Sequence, residues 1–110
     1  MKVAVIGGGA AGFFAALSVK KHHSYAEVEI LEKSTKLLSK VKISGGGRCN
    51  VTHACFKSSV LAKFYPRGSK QLKKSFTLFN TNHTIAWFKE RGVELKKRQI
   101  IGCFLLQILP

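Results

Sequence analysis

Three shortages in this chain each remove a class of protein. Cysteine is sparse: Cys49, Cys55 and Cys103 are odd in number and show no CxxC spacing. That excludes a disulfide framework and a structural zinc site, and it fits a reduced, cytoplasmic compartment. Long apolar runs are missing. The longest in the tail, Ile100 to Leu106, falls far short of the roughly 18 residues that mark a membrane span. Lys2 and the apolar run behind it imitate a signal peptide, but Gly7-Gly8-Gly9 interrupts the run and no small-x-small cleavage site follows. Acid is scarce, with 5 Asp and Glu against 19 Lys and Arg, for a formal charge of +14. Such an excess attracts polyanions. The basic residues are dispersed, however, with short clusters only at Lys20-Lys21, Lys73-Lys74 and Lys96-Lys97-Arg98. No basic helix stripe or RNA-reading aromatic signature accompanies them. The charge therefore reads as a solvated surface, and no specific nucleic-acid partner is expected. His22, His23, His53 and His83 lack metal-ligand spacing, so no metal is expected either.

What remains is globular. Hydrophobic residues make up 45% and charged residues 22% of 110 residues, enough for one small domain or a piece of a larger one. Lys2-Val3-Ala4-Val5-Ile6 is a short β-branched run ended by glycines, the pattern of a strand buried on both faces of a parallel sheet. Good helix formers run from Ala10 to about Lys21, and a second strand runs from Val28 to Leu31, ending at Glu32. Strand, glycine turn, helix and strand make the opening of a βαβ unit. Further on, Pro66-Arg67-Gly68 signals a turn, and helices are predicted over about 69–79 and from Asn82 to Arg91. Gly92 stands where a helix-ending glycine is expected, and Val93 to Lys96 reads as a short strand. Phe76, Phe79, Trp87 and Phe88 recur at helical spacing and are predicted core.

Two stretches carry chemistry. Gly7-Gly8-Gly9-Ala10-Ala11-Gly12 fits G-x-G-x-x-G directly after a strand and at the start of a helix. In that setting Gly7 permits the tight turn, Gly9 leaves room for a pyrophosphate against the backbone, and Gly12 lets helix and sheet pack closely. The helix start then offers free N–H groups and its positive end to phosphates. Glu32 lies 20 residues beyond Gly12, where a carboxylate accepts hydrogen bonds from a ribose. Together they predict a dinucleotide site. The second stretch is Ser44-Gly45-Gly46-Gly47-Arg48-Cys49-Asn50. Its glycines allow close approach of backbone to a ligand, Arg48 offers a cationic fork for phosphate, and Asn50 a polar contact. A flexible surface loop is the alternative reading.

These residues resemble a known family. Val3 to Gly12, Leu31-Glu32-Lys33 and Ile43 to Thr52, the last containing S-G-G-G-R-C-N-x-T, are similar to bacterial NAD(P)/FAD-dependent oxidoreductases of the aminoacetone-oxidase-like and bile-acid-reductase-like kind. The similarity continues through Pro66 to Gly68, Phe76 to Phe79 and Thr84 to Phe88, and on to Gly92–Lys96. It implies an α/β fold, an incomplete Rossmann-type FAD-binding domain of the two-dinucleotide-binding-fold type. It also implies FAD held by Gly7, Gly9, Ala11, Gly12, Glu32, Lys33 and the loop Gly45, Gly46, Gly47, Arg48, Cys49 and Asn50, with NAD(P)H as electron donor in intact relatives. Cys49 and Cys55, spaced C-x5-C, are one residue longer than the redox pair of flavin disulfide reductases. They are expected to be ordinary reduced cysteines.

The chain departs from that family in two ways. Leu38 stands where the family has a turn glycine, which puts a positive-φ turn there in question. Family members are also several times longer. Residues 1–97 read as the N-terminal part of the FAD-binding domain and 98–110 as an atypical apolar tail. The tail is expected to be an out-of-frame reading, which the coding DNA decides. Exposed strand edges and this tail predict weak folding and weak FAD binding by the isolated chain. The expected function is the FAD-binding portion of a flavin oxidoreductase, truncated and with little activity alone, and no catalytic residue is identified. The alternative is a non-catalytic nucleotide-binding or interaction module that keeps only the pyrophosphate site.

Overall fold

A computed structural model describes residues 1–100 and 103–108, with no description of the side chains of 100 and 103–105. The chain forms two compact units, Met1–Gly47 and Arg48–Pro110, that divide at the triple-glycine turn.

The first unit is the βαβ opening. Strand β1 (Lys2–Ile6) leads into helix α1 (Ala10–His22) and returns as β2 (Glu27–Leu31). The two strands pair in parallel, from Lys2 opposite Glu27 to Ile6 opposite Leu31. Side chains alternate across a strand, so Val3, Val5, Val28 and Ile30 share the half-buried face on which α1 packs. The opposite face is exposed, with Ile6 at 79% and Leu31 at 51%. This corrects the expectation of strands buried on both faces. Ala4 and Ile6 are apolar enough for a second covering layer, but the first unit supplies only one. Ala16 and Ala26 are its fully buried apolar side chains, small enough to let helix and strand approach. At the end of α1, Lys20, Lys21 and His22 face the negative pole of the helix. The Lys20 ammonium donates to the carbonyls of Ser24 at 2.6 Å and Ala26 at 2.9 Å, tying the connection down. A short helix α2 (Ser39–Ile43) and a tight turn (Ser44–Gly46) complete this unit.

The second unit holds β3 (Asn50–His53), α3 (Ser58–Leu61), α4 (Ser69–Leu78), α5 (Thr81–Lys89), β4 (Lys96–Ile100) and β5 (Cys103–Gln107). Its sheet is antiparallel in the order β3-β5-β4. The segment read as an atypical apolar tail supplies the middle strand, and Leu106 and Gln107 are buried. A continuous apolar run is what a strand flanked on both edges and covered on its faces requires. The strand expected over Val93–Lys96 instead occupies Lys96–Ile100. The amides of Gly92 and Val93 are spent closing α5, on the carbonyls of Lys89 and Phe88, and pairing with β5 then sets where β4 begins. Helix α5 starts one residue earlier than predicted because Asn80 caps it. The Asn80 side-chain carbonyl accepts from the Asn82 amide at 3.0 Å, and the Asn80 amide donates to His83 Nδ1 at 3.2 Å.

The predicted aromatic core also needs correction. Phe76, Trp87 and Phe88 are half-buried and Phe79 is exposed, whereas among the described residues Leu61, Thr81 and Gln107 are the largest deeply buried side chains. The aromatics form a rim of ring contacts, such as Tyr65 on Phe76 at 5.4 Å and Trp87 on Phe88 at 5.0 Å. Burying Thr81 is tolerable because its hydroxyl is bonded. It lies 2.7 Å from the Cys55 carbonyl and 3.1 Å from that of His53, fastening the start of α5 to the end of β3.

Candidate functional site

The turn between β1 and α1 sits at the carboxyl end of a parallel sheet, where open α/β sheets place their ligands. Each glycine there has a separate cause. Gly7 adopts φ 104°, a conformation that favours glycine, and its amide donates to the Leu31 carbonyl at 2.7 Å. A Cβ on Gly12 would stand 1.9 Å from the Gly7 carbonyl oxygen, so only glycine allows α1 to lie this close to the turn. Gly9 is the residue preceding α1. No side chain caps the helix there, and a Cβ on Gly9 would meet nothing within 4 Å. The first-turn amides thus have no side-chain cap. Gly8, which sequence reasoning passed over, is the buried one. A Cβ there would stand 2.5 Å from Leu37 Cδ2 and 3.1 Å from Glu32 Cβ. The signal for it was the third consecutive glycine, one more than the motif needs.

Glu32 is where a ribose-binding carboxylate is expected. Its Oε2 accepts from the Gly8 amide at 2.7 Å and its Oε1 from the Ser34 amide at 2.8 Å. An ionised carboxylate has about four acceptor positions, so two bonds leave capacity for hydroxyl donors. The amides of Ser34 and Gly8 hold the Glu32 carboxyl below the usual carboxylate range. The stability this group adds is present above its unfolded pKa and is lost as pH falls through the lower folded value. The turn is therefore expected to loosen only in acid, with Gly8 amide exchange accelerating as Glu32 protonates. In E32Q that acid step is expected to disappear, and hydrogen exchange across an acid titration reads both.

Gly9, Ala10, Glu32 and Ser34 line one cleft of about 400 Å³, together with Lys36, Leu38 and Lys40. Lys36 and Lys40 were absent from the sequence-predicted set, which included Lys33, a residue outside this lining. Their spacing of four, just beyond an acid that ends a strand, was the available clue. Leu38 adopts φ 51° despite being a leucine, so the positive-φ turn in question at this position is present. Ala11 and Gly12 lie in the first turn of α1.

Gly45, Gly46 and Gly47 all have positive φ, and they do not line this cleft. Arg48, Cys49 and Asn50 belong to the second unit and lead into β3. There the Asn50 side-chain carbonyl accepts from Gln107 Nε2, and the Cys49 carbonyl accepts from the Ile108 amide at 3.3 Å. Cys49 and Cys55 are free thiols. Among the described residues no cluster suited to a metal ion occurs, and no helix is long and apolar enough to cross a membrane.

Over 97 residues, 88% of this chain, the sequence is 30% identical to the 3-dehydro-bile acid delta(4,6)-reductase of Clostridium scindens. The aligned part is 23% of that protein, so the chain spans about a quarter of the relative's length. A family model described as the HI0933-like protein Rossmann domain matches residues 1–106, which include both βαβ strands, the glycine turn and most of β5. The parallel βαβ unit, the glycine turn and the match over nearly the whole length agree: the chain belongs to the HI0933-like Rossmann-domain family.

Proposed function

We propose that this chain binds FAD through the ADP half of the cofactor, as the FAD-binding part of a flavin-dependent oxidoreductase. The observation that carries the reading is the shared cleft: the uncapped start of α1 at Gly9 and Ala10 opens on the same space as the Glu32 carboxylate. The pyrophosphate would rest on the first-turn amides, with Gly9 as the bare cradle and Ala11 and Gly12 behind it. A ribose of the ADP half would donate to Glu32, with the adjoining Lys33 and the lysines of the cleft adding positive charge. The loop from Gly45 to Asn50 is assigned to the cofactor on the strength of its motif. When bound, the flavin supplies the electron transfer, while these residues bind and orient it.

The reductase activity named for the relative is the model for a longer assembly. For this chain we propose cofactor binding with little turnover, and a cytoplasmic setting consistent with its free thiols. A second reading, nucleotide binding without redox chemistry, is favoured by one observation. The charged and polar side chains of the cleft, Glu32, Ser34, Lys36, Ser39 and Lys40, are of types that suit sugar hydroxyls and phosphate. Titration of the full chain with FAD, ADP and FMN tests both readings. FAD and ADP are expected to bind, with FAD tighter, and FMN, which lacks the ADP half, is not. Equal affinity for FAD and ADP selects the second reading. Binding of FMN alone would remove both.

A further inference from the structure

We infer that Leu38 is a positioning residue for the dinucleotide turn, an inference that rests on the ADP reading above. Leu38 holds φ 51° and ψ 27°, the left-handed region that a leucine adopts only at a cost. In that conformation its amide donates to the Gly8 carbonyl at 2.9 Å, and its own carbonyl accepts from Lys42 at 3.0 Å. The Gly8 amide is held from the other side by Glu32 at 2.7 Å.

The Gly8 carbonyl and the Gly9 N–H belong to one planar trans peptide, so fixing the direction of the first fixes that of the second. Leu38 thereby fixes the Gly9 N–H, which points opposite to the Gly8 carbonyl, at a residue that lines the cleft. Relaxing residue 38 to a negative φ breaks its bond to Gly8 and frees that peptide to rotate. The apparent affinity for ADP then falls in proportion to the fraction of chains still aligned. The cost of this aim is set by the residue type. Asparagine, close to leucine in shape, tolerates the left-handed region better, and a β-branched valine tolerates it least.

The test is calorimetric titration of ADP into the full chain, comparing the parent with L38N and L38V. Binding by L38V is expected to be about fivefold weaker and by L38N tighter than the parent, with the number of sites per folded chain unchanged. A residue that merely supports the fold would lower the denaturation midpoint and leave Kd alone under conditions where every variant is fully folded. If L38V does not fold, L38N decides: affinity equal to the parent's overturns the inference. Equal Kd for all three chains overturns it too, while leaving the ADP reading intact. Failure of the parent and L38N to bind ADP at all removes that reading, and the inference with it.

Discussion

Replacing Gly12 with alanine is expected to unfold the first unit, although alanine is the best helix former and the position lies inside a helix. Helix propensity favours alanine over glycine by about 1 kcal/mol. Against this, the new Cβ would stand 1.9 Å from the Gly7 carbonyl oxygen and 3.1 Å from its carbon. Both are backbone atoms in a turn fixed by the Gly7–Leu31 hydrogen bond, so neither can move aside as the end of a flexible side chain would. Overpacking of this kind costs about 3 kcal/mol or more, which exceeds the propensity gain severalfold. A unit with two strands and two helices, one of them only five residues long, has little stability to lose. Chemical denaturation followed by circular dichroism is expected to show the β1–α1–β2 transition lost in G12A. A variant as stable as the parent would mean that α1 does not pack where it is placed.

Gly9→Ala should do the opposite. The backbone at Gly9 is extended, φ −92° and ψ −174°, so alanine fits without strain. A Cβ there meets nothing within 4 Å. Folding is therefore expected to change by no more than about 0.5 kcal/mol. The methyl group would occupy the space assigned to the pyrophosphate, and ADP affinity is expected to fall by at least roughly tenfold, the loss of one good phosphate contact. The pair of variants separates the two uses of glycine in one short motif, one for packing and one for ligand approach. If G9A binds ADP as the parent does, the phosphates lie elsewhere.

The first unit was legible in the sequence because its signals are local. A β-branched run, glycines at set positions and an acid at the end of the second strand each act within a few residues. The second unit was less so, for a physical reason. β5 pairs with its sequence neighbour β4 but also with the distant β3, and nothing local shows that second edge, which makes an apolar tail a middle strand. The same holds for Thr81 and Gln107, polar residues whose burial follows from partners reached only after folding. Within the site, Glu32 and the glycines stood out by spacing. Lys36 and Lys40 did not, and Leu38 only as a doubtful turn, since their place in the cleft depends on how the chain turns back after β2 toward Gly8. The left-handed Leu38 is the extreme case: its residue type argues against the conformation it adopts.

Resonance-by-resonance NMR of the 15N-labelled chain during titration with ADP reads even weak binding at named amides, and so locates the phosphates. Saturable shifts are expected, largest at Gly9, Ala10 and Ala11, with smaller ones at Ser34, whose amide donates to Glu32. Shifts that leave Gly9 to Ala11 unmoved and gather on other lysine-rich surfaces would contradict it, since the nucleotide would then be held by diffuse charge and not by the start of the first helix.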